Sequence, residues 1–194
     1  MKLSAVVVAA GLSRRMGGEK ILLRFGGATV LERVLSTLAA ADLSDCVVVL
    51  RPDVPQAAEI ARRAGARVVI NPRPQDEMLL SIRMGIAQIS PETDAFYVWP
   101  ADHPAVAAET LGRLAGEAGR GRVALPVHAG RRGHPALIGS DLIDDIADIP
   151  EGSGLRHLWR ARPEVLVDVP VNDPGVLLDL DTPEDYERWI SMDV

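Results

Sequence analysis

The sequence predicts an α/β protein in which one mostly parallel, mixed sheet lies between two layers of helices. Short apolar runs alternate with helical patterns over residues 1–70, as in a doubly wound sheet. Two apolar runs end directly in polar loops, one beginning at Gly11 and one containing Asp102. Such loops mark the carboxyl edge of a parallel sheet, where α/β proteins bind ligands.

Length, charge and cysteine content limit the classes of function. The 194 residues are predicted to form one domain, residues 1–194. A formal net charge of -6 argues against general nucleic-acid binding. No segment has the length of a membrane span or the pattern of a secretory signal. The single Cys46, in an apolar run, indicates a reducing compartment, so we expect a cytoplasmic protein without nucleic-acid or membrane partners.

The first predicted strand covers the apolar run at residues 6–10, and the loop that follows it carries the first functional signal. It combines glycines with cations: Gly11, Gly17, Gly18, Arg14, Arg15 and Lys20. Tight turns, backbone N–H groups and cations favour a polyphosphate, so the loop predicts nucleotide binding. The pattern is neither a P-loop ending in Gly-Lys-Ser/Thr nor Gly-x-Gly-x-x-Gly. A glycine-rich turn with solvated arginines is the alternative without function.

The next elements alternate regularly up to residue 70. Residues 21–25 are predicted to be a short extended piece that ends at a Gly-Gly pair. Thr29 and Glu32 have the spacing of a capping box, and apolar residues follow at helical spacing as far as Leu38. The remaining elements are a strand over residues 45–50, a helix over residues 57–64 and a strand over residues 66–70.

Polar residues then gather around two further turns. Asn71 opens a turn-rich loop, and Ser81 lies near the start of the following helix. A strand over residues 95–99 stops just before Asp102, and a helix is predicted over residues 106–118. Asp102 is therefore a candidate metal carboxylate, with N-capping of that helix as its alternative role.

The second half departs from strict alternation. Strands over residues 123–127 and 135–138 flank a basic loop with Arg131, Arg132 and His134, which predicts a hairpin-like excursion beside the sheet edge. The later elements are helices over residues 143–149 and 155–161, strands over residues 164–169 and 176–180, and a terminal helix from Pro183.

These polar residues suit nucleotidyl transfer. That reaction needs a triphosphate cradle, a divalent metal on carboxylates and a place for the attacking group, but no covalent nucleophile. Arg15 and Lys20 suit the first need and Asp102 the second. Asp179 or Asp181 could complete the metal site from another strand end.

The motifs resemble those of the MobA-like nucleotidyltransferases over nearly the whole chain. Residues 9–17, Ala-Ala-Gly-Leu-Ser-Arg-Arg-Met-Gly, followed by Lys20, resemble the signature loop of that family. Asn71 with Ser81 resembles its base- and ribose-contacting segment, and residues 100–104 resemble its metal-aspartate loop.

Two later segments resemble the molybdenum cofactor cytidylyltransferase branch: residues 130–135, Gly-Arg-Arg-Gly-His-Pro, and residues 178–185, Leu-Asp-Leu-Asp-Thr-Pro-Glu-Asp. The resemblance implies a three-layer, Rossmann-like fold of the nucleotide-diphospho-sugar transferase type. It also implies Mg²⁺-dependent transfer of CMP from CTP to the phosphate of molybdopterin, or its Mo-loaded form, with release of pyrophosphate. The molybdopterin cytosine dinucleotide formed would serve a molybdenum hydroxylase apoenzyme.

The same resemblance implies roles for particular residues. The catalytic residues would be Arg15, Lys20 and Asp102. The nucleotide would contact Ala9, Ala10, Gly11, Arg15, Lys20, Asn71 and Ser81. The acceptor would contact His103, Arg131, Arg132 and His134. The metal would be held by Asp102 and Asp181, the latter preferred to Asp179 because the family motif places its polar residue directly before Thr-Pro.

Three positions refine or depart from the family pattern. Ala10 gives the Ala-Ala-Gly of the cytidylyl branch instead of Ala-Gly-Gly, which favours CTP, although one methyl group is usually worth only ~1–3 kcal/mol. His103 stands where relatives commonly have Met, and it is either a contact to the acceptor phosphate or a metal, or a polar replacement at the rim. Glu77 stands where relatives often have glycine, which affects the shape of the base pocket.

Other functions remain alternatives at this point. The chain could use GTP and make the guanine dinucleotide, or it could transfer the nucleotide to a sugar or alcohol phosphate. A non-enzymatic alternative is a carrier or chaperone for the molybdenum cofactor. Two metal carboxylates argue against the carrier, because a carrier has no need of them.

Overall fold

The computed structural model describes residues 1–12, 19–75 and 78–190, without the side chains of residues 189 and 190. In these ranges the strands are β1 (Leu3–Val8), β2 (Arg24–Phe25), β3 (Ala28–Thr29), β4 (Asp45–Leu50), β5 (Arg67–Ile70), β6 (Ala95–Pro100), β7 (Val123–His128), β8 (Arg131–Arg132), β9 (Ala136–Gly139) and β10 (Leu166–Pro170). The α-helices are α1 (Val30–Ala40), α2 (Pro55–Arg63), α3 (Met78–Ile86), α4 (Ala108–Ala115), α5 (Ile143–Ala147), α6 (Arg156–Ala161) and α7 (Pro183–Ile190). Short 3-10 helices cover Lys20–Leu22, Ser140–Leu142, Pro163–Val165 and Pro174–Leu177.

The main sheet is mixed and mostly parallel, which confirms the predicted fold class. Its strands lie in the order β10-β7-β9-β6-β1-β4-β5, with β8 paired to β7. Neighbours from β6 to β5 are parallel, and β10 is parallel to β7. Strand β9 runs antiparallel between β6 and β7. The two strands predicted around the basic loop are present and pair antiparallel, β7 with β9. Their predicted position beside the sheet edge is wrong, because all four residues of β9 are buried and the strand pairs on both sides inside the sheet.

Helices cover both faces of this sheet. Strand β1 shows the two faces, because Val7 packs into one buried apolar cluster and Val6 into the other. Helices α1, α2 and α4 supply the first cluster, and α3, α5 and α6 supply the second. This gives the three predicted layers, with β1 and β6 adjacent near the middle of the sheet.

Several local predictions are confirmed. The side chain of Thr29 accepts a hydrogen bond from the Glu32 N–H, and Glu32 accepts one from the Thr29 N–H, so the capping box starts α1. Strand β4 has its predicted bounds, and burial of Cys46 within it raises the pKa of the thiol to about 12. None of the helices in the described ranges has the length and apolar character required to cross a membrane.

Two other local predictions are wrong, and Asp173 explains both. Asp102 does not cap α4, because the Ala107 N–H at its start donates to the Asp173 carboxylate at 2.9 Å. The other Asp173 oxygen accepts from the Gly175 N–H at 2.9 Å, which starts a 3-10 turn instead of the strand expected over residues 176–180. Asp173 thus starts the 3-10 turn from two residues away and fixes the start of α4 from 66 residues away in sequence.

Candidate active site

A lysine and two aspartates meet at the carboxyl edge of the central strands. The Lys20 ammonium donates to Asp102 Oδ2 at 2.6 Å and to Asp181 Oδ1 at 3.2 Å. The three side chains are 13%, 18% and 30% exposed, so a nucleotide and its metal could reach a site that is only partly hydrated. We call Lys20, Asp102 and Asp181 the charged triad.

The backbone brings these three residues together. Val8 at the end of β1 pairs in register with Pro100 at the end of β6, and the Ala101 N–H donates to the Val8 carbonyl at 2.9 Å. The loops after these two parallel strands therefore begin side by side. The Leu180 N–H donates to the Asp102 carbonyl at 3.0 Å, which fixes the segment before α7 against the same turn.

The charged triad lines a cavity of about 600 Å³, which we call the first cavity. Most predicted site residues lie on its wall: Ala9, Ala10, Gly11, Lys20, Ser81, Asp102, His103, His134 and Asp181. Asp179 also lines it, whereas Asp181 is the one that contacts Lys20. Arg15 and Glu77 lie outside the described residues.

Asn71 supports the cavity wall without lining the cavity. Its side chain is fully buried; its amide donates to Ser81 Oγ at 2.9 Å, and its oxygen accepts from the Arg73 N–H at 2.8 Å. Asn71 therefore fixes Ser81, and of these two predicted nucleotide contacts only Ser81 lines the cavity.

The two arginines of the basic loop that were predicted to contact the acceptor lie outside the first cavity. Arg131 is exposed in β8 and lines neither the first cavity nor a second cavity that adjoins it. Arg132 binds Asp168 through two hydrogen bonds, of 2.6 and 3.1 Å, and lines the neighbouring cavity. An acceptor phosphate would have to compete with Asp168 for Arg132.

Sequence reasoning missed Arg51, which binds both described ends of the loop after β1. This arginine is 5% exposed; it donates to the Gly11 carbonyl at 2.8 Å, to Asp53 at 2.7 Å and to Glu19. It thus joins the two described ends of the loop after β1. Its position directly after the parallel strand β4 was the available signal. Because the Ala9 N–H donates to Val49 and Arg51 takes the Gly11 carbonyl, a base contact here would use the other backbone groups.

Two histidines lie beside the triad, His103 buried and His134 half-buried. The ring centroids of His103 and His134 are 4.8 Å apart, and His103 Nε2 lies 3.8 Å from Asp102 Oδ1. Among the described residues, three buried polar side-chain atoms lack a hydrogen-bond partner: Asp102 Oδ1, His103 Nδ1 and His134 Nδ1. Buried polar atoms are rarely left unpaired in the working state of a protein, so this cluster is where a polar ligand is expected.

Burial and charge set the protonation states of the site. Burial lowers the pKa of His103, against the opposing effect of Asp102, and burial lowers the pKa of His134 to about 4. Burial alone would raise the pKa of Asp102, but the Lys20 ammonium and His103 bring it below its ordinary value. Burial and the charges of Asp181 and Asp102 raise the pKa of Asp179.

The neutral state of His134 predicts an acid-sensitive contribution to stability. Because its folded pKa lies below the unfolded value of ~6.5, stability is full above about pH 6.5 and is lost as the pH falls toward 4. Between about pH 7 and pH 5 we expect wild type to lose about 2 kcal/mol more unfolding free energy than His134→Asn. Urea unfolding of both proteins at the two pH values measures this; equal losses would contradict the neutral buried state.

A second cavity of about 760 Å³ adjoins the first and shares Met78, Pro100 and His134 with it. Apolar residues of β6, β7 and β9 form part of its wall: Val98, Leu125 and Ala136. Its other lining residues include four that sequence reasoning did not assign to the site: Arg156, His157, Trp159 and Arg160. The only sequence signal for them was the Gly-Ser-Gly run before α6.

The carboxylates of the charged triad fit a divalent metal. Magnesium prefers hard oxygen ligands and usually takes one or two carboxylates together with substrate phosphates and water. Asp102 and Asp181 supply such a pair, and Asp102 Oδ1 has no hydrogen-bond partner among the described residues. Among the residues that the structure describes, no group of three or more His, Cys, Asp or Glu side chains could hold a metal by itself. The donor set therefore suits a metal that arrives with phosphate oxygens.

Two carboxylates and an ammonium in a cavity at the carboxyl edge of a parallel sheet form the kind of site that the class of nucleotide-dependent transferases requires. Residues 5–165 match the family described as the MobA-like NTP transferase domain, and the chain belongs to that family. Its relatives include nicotine blue oxidoreductase from Paenarthrobacter nicotinovorans, 27% identical with 96% of each chain covered. Molybdenum cofactor cytidylyltransferase from Escherichia coli (strain K12) is 22% identical over 95% of this chain and 93% of that protein.

Solved structures show the same fold. A nucleotidyl transferase from Methanothermobacter thermautotroptrophicus superposes with a TM-score of 0.87 at 27% identity, covering 99% of this chain and 97% of that chain. The Rv0371c protein from Mycobacterium tuberculosis H37Rv, solved as a complex with manganese, superposes with a TM-score of 0.79 at 26% identity over 98% and 99% of the two chains. The resemblance seen in the sequence motifs is thus confirmed for the family and the fold.

Proposed function

We propose that this MobA-like nucleotidyltransferase moves CMP from CTP to the phosphate of molybdopterin, or of Mo-molybdopterin, with Mg²⁺ as cofactor. The observation that carries the proposal is the charged triad on the wall of the first cavity. Lys20 can serve a triphosphate, and Asp102 with Asp181 can serve the metal. The E. coli relative named as a molybdenum cofactor cytidylyltransferase supports this choice of reaction.

The reaction is an exchange of phosphate bonds. An oxygen of the acceptor phosphate attacks the α-phosphorus of CTP, a new P–O bond forms, and the bond from that phosphorus to the β-phosphate breaks, releasing pyrophosphate. Bound Mg²⁺ would neutralise negative charge on the α-phosphate and the leaving pyrophosphate. Asp102 and Asp181 would hold it, Lys20 would bind a phosphate oxygen, and the rest of the rate enhancement would come from positioning.

The second cavity supports an acceptor that is both flat and anionic. Apolar residues and Trp159 offer a surface for a heterocycle, while Arg156 and Arg160 provide positive charge for phosphate. His134 belongs to both cavities, and a neutral imidazole there can donate a hydrogen bond to a phosphate oxygen. We therefore place the acceptor in the second cavity, with its phosphate toward His134 and the triad.

Ala10 supports cytosine as the base. It is 3% exposed and lines the first cavity, with Pro74 and Gln75 on the same wall. The methyl group of Ala10 reduces the space next to the backbone, which disfavours a larger purine. One methyl group gives a preference of only ~1–3 kcal/mol, so the choice between CTP and GTP must be tested by experiment.

The test is product analysis with purified protein, molybdopterin, Mg²⁺ and either CTP or GTP. We expect pyrophosphate and molybdopterin cytosine dinucleotide only when CTP, Mg²⁺ and molybdopterin are present together. GTP should be slower by roughly 10- to 100-fold if base-pocket size decides the choice. Parallel reactions with a sugar phosphate and an alcohol phosphate test the acceptor.

Each other result selects a different function. Equal or faster turnover with GTP rejects the cytidylyl assignment, and turnover with a sugar phosphate alone rejects molybdopterin as acceptor. Binding of the finished dinucleotide without turnover under any condition selects the carrier. Turnover of nicotine blue, with no pyrophosphate formed, would instead align the chain with the oxidoreductase named among its relatives.

The proposal also gives the product a destination. A dinucleotide form of the cofactor would be consumed by a molybdenum hydroxylase apoenzyme, to which this protein could pass it directly. We propose that both steps take place in the cytoplasm, in keeping with the single buried Cys46.

A further inference from the structure

Lys20 lies where a divalent cation would be expected. Its ammonium bridges Asp102 and Asp181, at 2.6 and 3.2 Å, and its side chain is only 13% exposed. A metal held by these two carboxylates would place a second positive charge beside the same oxygens. Ammonium and metal therefore compete for one pair of carboxylates.

The choice of lysine at this position is informative. The chain has 21 Lys and Arg residues, of which only Lys2 and Lys20 are lysines. Arginine presents a planar, forked group, whereas lysine presents a compact charge on a flexible stem. A compact charge can lie between two carboxylates as a metal ion does, and the flexible stem allows it to leave.

We propose that Lys20 is a removable internal counter-ion that makes metal binding depend on the nucleotide. In the free protein its ammonium offsets part of the negative charge of Asp102 and Asp181 and opposes a divalent cation. An incoming triphosphate gives the ammonium a new anionic partner, so Lys20 turns to the phosphate and the carboxylates become free for the metal. The inference rests on the metal role of Asp102 and Asp181 in the proposed function, but not on the base or the acceptor.

The consequence is positive coupling between nucleotide and metal. By linkage, a nucleotide that draws Lys20 away from the carboxylates raises metal affinity, and the metal raises nucleotide affinity by the same factor. This order of events keeps a metal from binding tightly without the nucleotide that uses it. It also reduces the repulsion between the two carboxylates in the free protein.

The first experiment measures Mn²⁺ binding without nucleotide, by calorimetry and by loss of the free-Mn²⁺ paramagnetic resonance signal. Lys20→Met removes the charge while keeping an unbranched side chain, and it should bind Mn²⁺ about 5- to 150-fold more tightly than wild type. Lys20→Arg keeps the charge and should stay close to wild type. Lys2→Met alters the other lysine, which pairs with Glu92 at the surface, and is the matched control.

The second experiment follows the ammonium in the unaltered protein. With ¹⁵N-labelled lysine, NMR should show two side-chain ammonium signals, one from Lys2 and one from Lys20. CTP added in the presence of a chelator should shift the Lys20 signal and leave the Lys2 signal in place. This measurement needs neither turnover nor a folded variant.

The outcomes separate this inference from the proposed function. Mn²⁺ binding to Lys20→Met that is no tighter than to wild type, or a Lys20 signal that CTP leaves unchanged, overturns the counter-ion role while leaving the transferase proposal intact. If the Asp102→Asn, Lys20→Met double variant keeps the tight Mn²⁺ binding, the metal role of Asp102 fails and the inference fails with it. If both measurements succeed and molybdopterin does not react, the inference stands and the acceptor assignment falls.

Discussion

Asp102→Asn is expected to lower kcat for pyrophosphate release by about 10³-fold, because it removes a carboxylate that we propose holds the metal where charge develops. The amide keeps the size of the side chain, and Lys20 retains its bond to Asp181, so the fold should persist. Steady-state kinetics with saturating CTP, Mg²⁺ and acceptor give the loss. Circular dichroism and urea unfolding establish that the variant is folded.

Asp179 and Asp181 provide the matched comparison. Both line the first cavity, two residues apart, but Asp181 binds Lys20, whereas the pKa of Asp179 is raised by burial and by Asp181 and Asp102. We expect Asp181→Asn to approach the effect of Asp102→Asn, and Asp179→Asn to cost far less. If Asp179→Asn were the more damaging of the two, the metal would be held by Asp179. Wild-type turnover by Asp102→Asn would remove the metal role altogether.

Much of the candidate site could be predicted because it follows from a rule about parallel strands. Loops that leave neighbouring strands at the same edge begin side by side, and β1 and β6 are such neighbours. Lys20 and Asp102, 82 residues apart, were therefore predictable partners in one site, and their ammonium and carboxylate lie 2.6 Å apart. Helix α1 was predictable for a more local reason, since Thr29 and Glu32 make its cap with each other.

Most of the failures depend on contacts distant in sequence. The run from Val176 to Leu180 has the apolar pattern of a strand, yet the Val176 carbonyl accepts from the His134 N–H and Leu180 packs with Phe25 and Val30. The turn that Asp173 starts is local, because the Gly175 N–H that it binds is two residues away, but its bond to the Ala107 N–H at the start of α4 spans 66 residues and leaves no local pattern. The second cavity was missed for the same reason, because α6 contributes to it only after the chain has folded over β7 and β9.

The other large effect is expected from Gly133→Ala. A Cβ at Gly133 would lie 2.2 Å from the Val176 carbonyl oxygen and 2.7 Å from its carbon, and both are backbone atoms. That backbone has little room to retreat, because Gly175 is itself packed so closely that its own Cβ would meet Ala105 O at 2.2 Å. We expect a loss of about 1–3 kcal/mol in unfolding free energy. Urea unfolding measures it.

The same substitution should separate the acceptor from the nucleotide. His134 is anchored by its N–H, which donates to Val176 at 2.8 Å, so a shift between these segments moves the imidazole at the boundary of the two cavities. The acceptor KM should therefore rise several-fold while the CTP KM changes little, since the loop that we propose binds the nucleotide follows β1 and not the strands next to Gly133. Gly112→Ala, in α4 with open space at its Cβ, is the control and should be stabilising by about 0.5–1 kcal/mol. A Gly133→Ala protein that loses stability but keeps its acceptor KM would show that the acceptor does not depend on the position of His134.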